Sequence, residues 1–158
     1  MANDIIITTP LPQDAAGQAV VDLLHRHDLY IQTTCPQLIS QKHVSGTPGL
    51  DVPCVYEITD KRPIGQTTFN LTLTNVTEGI DALIEGKTPM GSMTLRSTWR
   101  VGNGELKEVV EIESNLVTRK LVKGNIEKGH PEYHKYVLQA LYAVFTRVAS
   151  TCSFDPAN

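Results

Sequence analysis

The chain has 158 residues, of which 41% are hydrophobic and 20% charged, a composition typical of a globular domain and not of a disordered segment. A net charge of −3 without a Lys/Arg block excludes the basic footprint of a nucleic-acid-binding protein, and no stretch reaches the ~20 apolar residues of a membrane span. With three cysteines and no signal-peptide pattern, we expect a single cytoplasmic domain over residues 1–158, with a frayed tail at 152–158.

The N-terminal half predicts one strand, one helix and then a series of strands. Residues Ile5–Thr9 form the first strand, and apolar residues at helical spacing, with Asp14 as the N-cap, predict a helix over 14–28. Alternating or β-branched stretches predict strands at Leu38–Val44, Val52–Thr59, Gln66–Val76 and Gly79–Glu85, with a loop at Gly86–Gly91.

A β-hairpin is the strongest local signal. Residues Met93–Val101 and Glu105–Leu116 flank Gly102-Asn103-Gly104, where Asn-Gly suits a two-residue turn with positive φ angles. The resulting register pairs Trp99 with Glu108, Ser97 with Val110, Leu95 with Ile112 and Arg96 with Glu111. This register separates an apolar face from a charged face, and a shift of the strand pairing by one residue would exchange the two faces.

The last predicted element is a long amphipathic helix. Pro131 suits its first turn, and an apolar stripe that includes Tyr133, Val137 and Leu141 continues to about Ser150. The chain therefore predicts an α+β fold in which a curved antiparallel sheet wraps around a long C-terminal helix. Such a sheet, with a helix across its open face, encloses a cavity for a small molecule.

This element order resembles the helix-grip fold of the START-like superfamily, which includes lipid-binding proteins, polyketide aromatase/cyclases and plant allergen relatives. More narrowly, the chain resembles a family of short START-like proteins from filamentous fungi. The residues that carry this resemblance are Thr9-Pro10-Leu11-Pro12, Val20, Leu24, Tyr56-Glu57-Ile58-Thr59-Asp60, Leu116 and Val122-Lys123. The resemblance implies a hydrophobic ligand, but the fold serves carriers, receptors, cyclases and isomerases alike.

Glu108 is the first candidate for chemistry. The hairpin register places it on the apolar face opposite Trp99, where loss of water would raise the pKa of its carboxyl and suit it to general acid–base catalysis. The alternative is that the strand twists near its turn and carries Glu108 to solvent at the rim.

Tyr56 and His134 are the other catalytic candidates. Tyr56 shares a strand face with Cys54 and Ile58 and would donate a hydrogen bond to a ligand, or else pack in the core. His134 flanks the apolar stripe of the last helix and would act as an acid or base, or else lie at the stripe's boundary. His130, at the predicted start of that helix, is expected to be solvated.

The apolar wall of the cavity is predicted from the two periodic patterns. We expect the ligand to contact Trp99, Leu95, Val110, Phe69, Val137 and Leu141. The alternation along Gln66–Val76 leaves open which sheet face lines the cavity, so Asn70 and Thr72 remain an alternative to Phe69.

Two functions are favoured by the sequence, and a third, an adaptor protein with an accidental cavity, is left open. The first is a cofactor-free and metal-free cyclase or isomerase of secondary metabolism that acts on a bulky hydrophobic small molecule. The second is a non-catalytic carrier or sensor of a lipid or another hydrophobic ligand, which would need only an apolar pocket and a mobile entrance. The sequence also leaves the oligomeric state open, with a homodimer among the alternatives.

Overall fold

A seven-stranded antiparallel sheet forms the body of the protein in this computed structural model, which describes residues 4–151 and the side chains of residues 4–144. The strands are β1 (Ile5–Pro10), β2 (Leu38–Ser45), β3 (Pro53–Lys61), β4 (Gln66–Val76), β5 (Gly79–Thr88), β6 (Gly91–Gly102) and β7 (Glu105–Glu113). The helices are α1 (Gly17–Leu24), α2 (His27–Thr34) and α3 (Leu116–Thr151). The curved sheet and the long C-terminal helix confirm the predicted helix-grip fold, while the predicted tail at 152–158 lies outside the described residues.

Sheet order follows the chain from β2 to β7, and β1 joins the far edge beside β7, giving β1-β7-β6-β5-β4-β3-β2. The predicted hairpin register is confirmed, since Trp99 pairs with Glu108 and Leu95 with Ile112. Its turn has the positive φ angles that Asn-Gly suits, 52° at Asn103 and 71° at Gly104. The predicted loop at Gly86–Gly91 is shorter than expected, because pairing of β5 with β6 continues to Thr88 and Gly91.

The single helix predicted over 14–28 is wrong, because the structure has two helices with a break at residues 25–26. At the break, His25 Nε2 donates to the carbonyl oxygens of Val76 and Gly79, at 3.0 and 2.8 Å. The break turns the chain so that α2 buries Tyr30 and Ile31 against the sheet. The predicted cap at Asp14 is also wrong, since α1 follows Ala16, which makes no side-chain cap.

Helix α3 begins 15 residues before Pro131, its predicted start, and Pro131 lies inside the helix. The helix is capped by Asn115, whose Oδ1 accepts a hydrogen bond from the backbone N–H of Thr118 at 2.9 Å. Gly124, Gly129 and Pro131 all weaken the helical signal of this segment. The early start extends the helix across the end of the sheet and brings Thr118 and Val122 to the cavity wall.

The buried side chains lie on the sheet face that packs against the helices. One core cluster joins α1, α2 and the later part of α3 to strands β3 to β7, and a smaller one contains Ile5, Leu95, Val110 and Ile126. Side chains of both clusters, among them Trp99 and Leu95, also line a cavity between the sheet and the helices.

Candidate active site

A cavity of about 670 Å³ lies between the inner face of the sheet and helices α2 and α3. This volume is within the range of roughly 300–1,000 Å³ that small-molecule sites occupy. Most of the wall is apolar and includes Tyr30, Phe69, Leu71, Ala82, Ile84, Met93, Leu95 and Trp99. Phe69 and Leu71 line the cavity and Asn70 and Thr72 do not, which settles which face of β4 is the inner one.

Glu108 lies on the cavity wall and is completely buried, so the alternative in which it reaches solvent at the rim is wrong. Three side chains bind its carboxylate. The Ser97 hydroxyl and His130 Nδ1 donate to Oε1, the latter at 2.8 Å, and His134 Nε2 donates to Oε2 at 3.1 Å. Carboxylate oxygens only accept hydrogen bonds when ionised, so both histidine nitrogens carry hydrogen here.

A second layer of hydrogen bonds holds these partners in place. Trp99 Nε1 donates to the Ser97 oxygen at 2.9 Å, which turns the Ser97 hydroxyl hydrogen toward Glu108. On the other side, the Thr9 hydroxyl and His134 Nδ1 are 2.8 Å apart. This contact ties the other ring nitrogen of His134 to β1. The carboxylate cluster thus joins β1, β6, β7 and α3.

The net pKa of the Glu108 carboxyl lies below its ordinary value. Burial raises it, but hydrogen bonds from His130, His134 and Ser97 and the attraction of His130 together outweigh that effect. The expectation of a raised pKa is therefore wrong, because it considered only the loss of water and not the hydrogen-bond donors His130 and His134 on α3. Glu108 is ionised at neutral pH and is suited to hold and stabilise a histidine, not to donate a proton.

The two histidines differ in their access to the cavity. His130 lines it, whereas His134 is fully buried behind Glu108 with its ring 4.6 Å from that of Trp99. The prediction that His130 is solvated is wrong, since only 16% of its side chain is exposed. Sequence reasoning missed His130 although a signal exists: it lies four residues before His134, a spacing that puts both on one helix face.

Tyr56, the third catalytic candidate, lies outside the cavity lining. Its hydroxyl is 2.8 Å from His27 Nδ1, and His27 Nε2 donates to Asn75 Oδ1 at 2.8 Å. Since Asn75 Oδ1 can only accept, Nε2 carries the hydrogen and Nδ1 accepts from Tyr56. Burial lowers the pKa of His27, partly opposed by the hydrogen bond to Asn75, which favours this neutral form.

The six predicted ligand contacts divide into two groups. Trp99, Leu95 and Phe69 line the cavity. Val110, Val137 and Leu141 are buried in the core clusters and are not part of the lining. The structure therefore brings Glu108 and His134 together with the first group and leaves Tyr56 and the second group elsewhere.

Three further polar side chains belong to the wall. Tyr133 lies with its ring 4.9 Å from that of His130, and burial raises the pKa of its phenol, so it stays a hydrogen-bond donor. Asp60 Oδ1 and Thr118 Oγ1 are buried at the wall and have no hydrogen-bond partner in the described part of the chain. Burial raises the pKa of the Asp60 carboxyl, opposed by Arg62. Asp60 Oδ1 and Thr118 Oγ1 can each accept a hydrogen bond from a ligand hydroxyl.

Within residues 4–151, no group of three or more His, Cys, Asp and Glu side chains is arranged to hold a metal ion. Among these same residues, no helix is long and apolar enough to cross a membrane.

Comparison with known proteins identifies one sequence family and a shared fold. The family described as Domain of unknown function (DUF7053) matches residues 2–142. No curated protein matches the chain significantly.

Solved structures of the helix-grip fold are similar over most of the chain. Ara h 8.0201 is 10% identical with a TM-score of 0.62, covering 90% of this chain and 99% of that one. The Zhui aromatase/cyclase from Streptomyces sp. R1128 is 11% identical with a TM-score of 0.61, and the match covers 90% of this chain and 93% of that one. A STAR-related lipid transfer protein fragment from Xanthomonas axonopodis is 12% identical with a TM-score of 0.54, and the match covers 88% of this chain and 85% of that one. These matches show that the chain shares the helix-grip fold of these structures, and they show the fold alone.

Proposed function

The chain belongs to the DUF7053 family and has the START-like fold, and from its cavity we propose that it is a cofactor-free enzyme of the cyclase or isomerase type. Its substrate is a bulky, mostly apolar small molecule bound between the sheet and α3. The observation that carries this proposal is the pair of His130 and ionised Glu108 on a mostly apolar wall. The solved structures of the same fold include an aromatase/cyclase, which is consistent with such a use of the cavity.

A buried carboxylate is costly unless hydrogen bonds replace its lost water. Here Ser97, His130 and His134 supply them, so the negative charge is already oriented before a ligand enters. The ionised carboxylate lies where it stabilises the imidazolium that forms during proton transfer. Since Nδ1 of His130 is held by Glu108, Nε2 is the ring atom that takes the proton.

The proposed step is a proton transfer on a carbon next to a substrate carbonyl. His130 Nε2 removes the proton, and the electron pair of the broken C–H bond moves into the new double bond as the carbonyl oxygen becomes negative. Tyr133 can donate a hydrogen bond to that oxygen. For isomerisation, His130 then returns the proton to another carbon of the conjugated system. For ring closure, the enolate carbon instead forms a bond to a second carbonyl carbon of the same substrate, the π electrons of that carbonyl become an alkoxide, and the alkoxide takes the proton from His130. Glu108 stabilises the imidazolium, and His134 holds Glu108 in position.

A substrate-independent probe tests for this base. The apolar compound 5-nitrobenzisoxazole opens to a coloured phenolate when a base removes its carbon-bound proton, and it is small enough for the cavity. We expect the protein to accelerate this reaction above buffer, and His130→Gln to lower the rate by about tenfold or more. The matched control is His43→Gln, since His43 is an exposed histidine of β2 outside the cavity.

The substrate class is tested separately by native mass spectrometry of the freshly purified protein, followed by extraction of any bound compound. Incubation of that compound, or of oxygenated aromatic and terpenoid analogues, with the wild type should give a product that the His130→Gln variant does not form.

Equal rates of the benzisoxazole reaction in the wild type and the His130→Gln variant would remove His130 from the mechanism and with it the enzyme proposal.

The second candidate function is a carrier of a hydrophobic ligand. It is favoured by the complete burial of His134 and Glu108, because this part of the cluster can serve to fasten α3 to the sheet. A compound recovered at one per chain and released chemically unchanged, with no probe reaction, would support the carrier.

A further inference from the structure

The open end of the cavity carries exposed apolar side chains on three separate segments, which we call the rim: residues 61–65, 87–91 and 116–128. In this antiparallel sheet the β3–β4 turn, the β5–β6 turn and the start of α3 all lie at the same end. Each contributes an apolar residue to the cavity mouth: Ile64, 94% exposed, Met90, 50% exposed, and Leu121, 60% exposed. Ordinary surface apolar residues are scattered singly, whereas these surround one opening.

The rim is also strongly basic. It holds seven of the 14 Lys and Arg residues but one of the 17 Asp and Glu residues, so its net charge is +6 and that of the rest of the chain is −9. The cations are Lys61, Arg62, Lys87, Arg119, Lys120, Lys123 and Lys128, all of them exposed. Only Glu127, which lies 3.8 Å from Lys123, opposes them within the rim. An acidic protein thus presents one cationic end, around the entrance to an apolar cavity.

We propose that the rim docks on an anionic lipid membrane surface, with Ile64, Met90 and Leu121 inserted at the acyl-chain boundary and the basic residues on the head groups. Apolar tips flanked by Lys and Arg are the combination that binds such a surface. A membrane fits better than a folded protein partner, because the apolar side chains stand on three separated tips and not on one continuous patch. Docking would place the cavity mouth against the phase in which a hydrophobic ligand dissolves.

Co-sedimentation with lipid vesicles tests this inference. Vesicles of phosphatidylcholine alone are compared with vesicles that also contain phosphatidylglycerol, each at low and at high salt. We expect binding to the anionic vesicles, with loss of binding at high salt because exposed charges are screened. Ile64→Asp should weaken partitioning on the order of tenfold, and Lys120→Gln by about fivefold.

Two matched controls lie at the opposite end of the sheet. Val44→Asp changes an apolar residue of β2 that is 56% exposed, and Lys107→Gln removes an exposed cation of β7. Both should bind vesicles as the wild type does. Equal binding to both vesicle types, no binding at low salt, or equal losses in the control and rim variants would each overturn the inference.

This inference goes beyond the proposed enzymatic function and is tested apart from it. Glu108→Gln is expected to keep vesicle binding and to lose the benzisoxazole reaction. Lys120→Gln, at an exposed residue outside the cavity lining, is expected to weaken vesicle binding and to keep the reaction. Ile64→Asp tests vesicle binding alone, because Ile64 lies at the cavity mouth, and its 94% exposure means that the replacement leaves the core intact. A protein that catalyses the probe reaction without vesicle binding would refute the rim proposal alone.

Discussion

His130 Nδ1 lies 2.8 Å from Oε1 of Glu108, so a helix residue on the cavity wall is tied directly to a completely buried carboxylate of β7. This contact does two things at once. It stabilises the charge of the completely buried Glu108, and it leaves Nε2 of the His130 ring outside this contact. Four tests follow from this cluster and from the buried groups around it.

The first concerns acid stability. Since the folded-state pKa of Glu108 lies below its ordinary value of 4.5, the carboxylate stabilises the fold above that pH and loses this effect as the pH falls through the folded pKa. We expect Glu108→Gln to lower the free energy of unfolding at neutral pH by roughly 1–3 kcal/mol. Below pH 4.5 the difference should shrink. Urea denaturation at a series of pH values measures both, with Glu111→Gln, an exposed carboxylate on the other face of β7, as control.

The second concerns His27. Burial lowers the pKa of its imidazole, so the neutral ring stabilises the fold above the ordinary value of 6.5, and this contribution is lost as the pH falls through the lower folded-state pKa. NMR titration of the ring resonances should give a midpoint for His27 below 6.5. A midpoint at or above that value would contradict the neutral Tyr56–His27–Asn75 network.

The third test distinguishes a structural role of Tyr56 from a catalytic one. Tyr56→Phe removes the donor to His27 Nδ1 and leaves a buried acceptor unpaired. We expect a loss of about 1–3 kcal/mol in the free energy of unfolding. The rate with 5-nitrobenzisoxazole should not change, because Tyr56 lies outside the cavity lining. A lower rate at unchanged stability would restore Tyr56 as a catalytic candidate.

The fourth concerns the unpaired hydroxyl of Thr118. Because Oγ1 is buried without a partner in the described residues, Thr118→Val should raise the free energy of unfolding by about 1 kcal/mol. Binding of a hydroxyl-bearing ligand should weaken in the same variant. Thr59→Val is the matched control, since the Thr59 hydroxyl is 3.0 Å from that of Thr68 and its removal should destabilise the protein. Both variants can be compared by thermal denaturation and ligand titration.

Local patterns were sufficient for much of the sheet. The Asn103-Gly104 turn and the separation of apolar from charged residues predicted the register that pairs Trp99 with Glu108. Helix boundaries were harder to predict, because tertiary contacts decide them. The break before α2 is fixed by His25, which donates a hydrogen bond to the carbonyl oxygens of Val76 and Gly79. Both of these residues are more than fifty positions away along the chain.

Sequence by itself determined the order of the strands along the chain and the hairpin register that pairs Glu108 with Trp99, because side-chain alternation and turn chemistry act between near neighbours. Only the tertiary structure decided the charge state of Glu108 and the identity of its partners. The donors on α3, His130 and His134, are 22 and 26 residues away along the chain, and they reach the carboxylate only when the helix packs across the sheet. Burial alone would have raised the pKa of Glu108, and the packing of α3 reverses that direction.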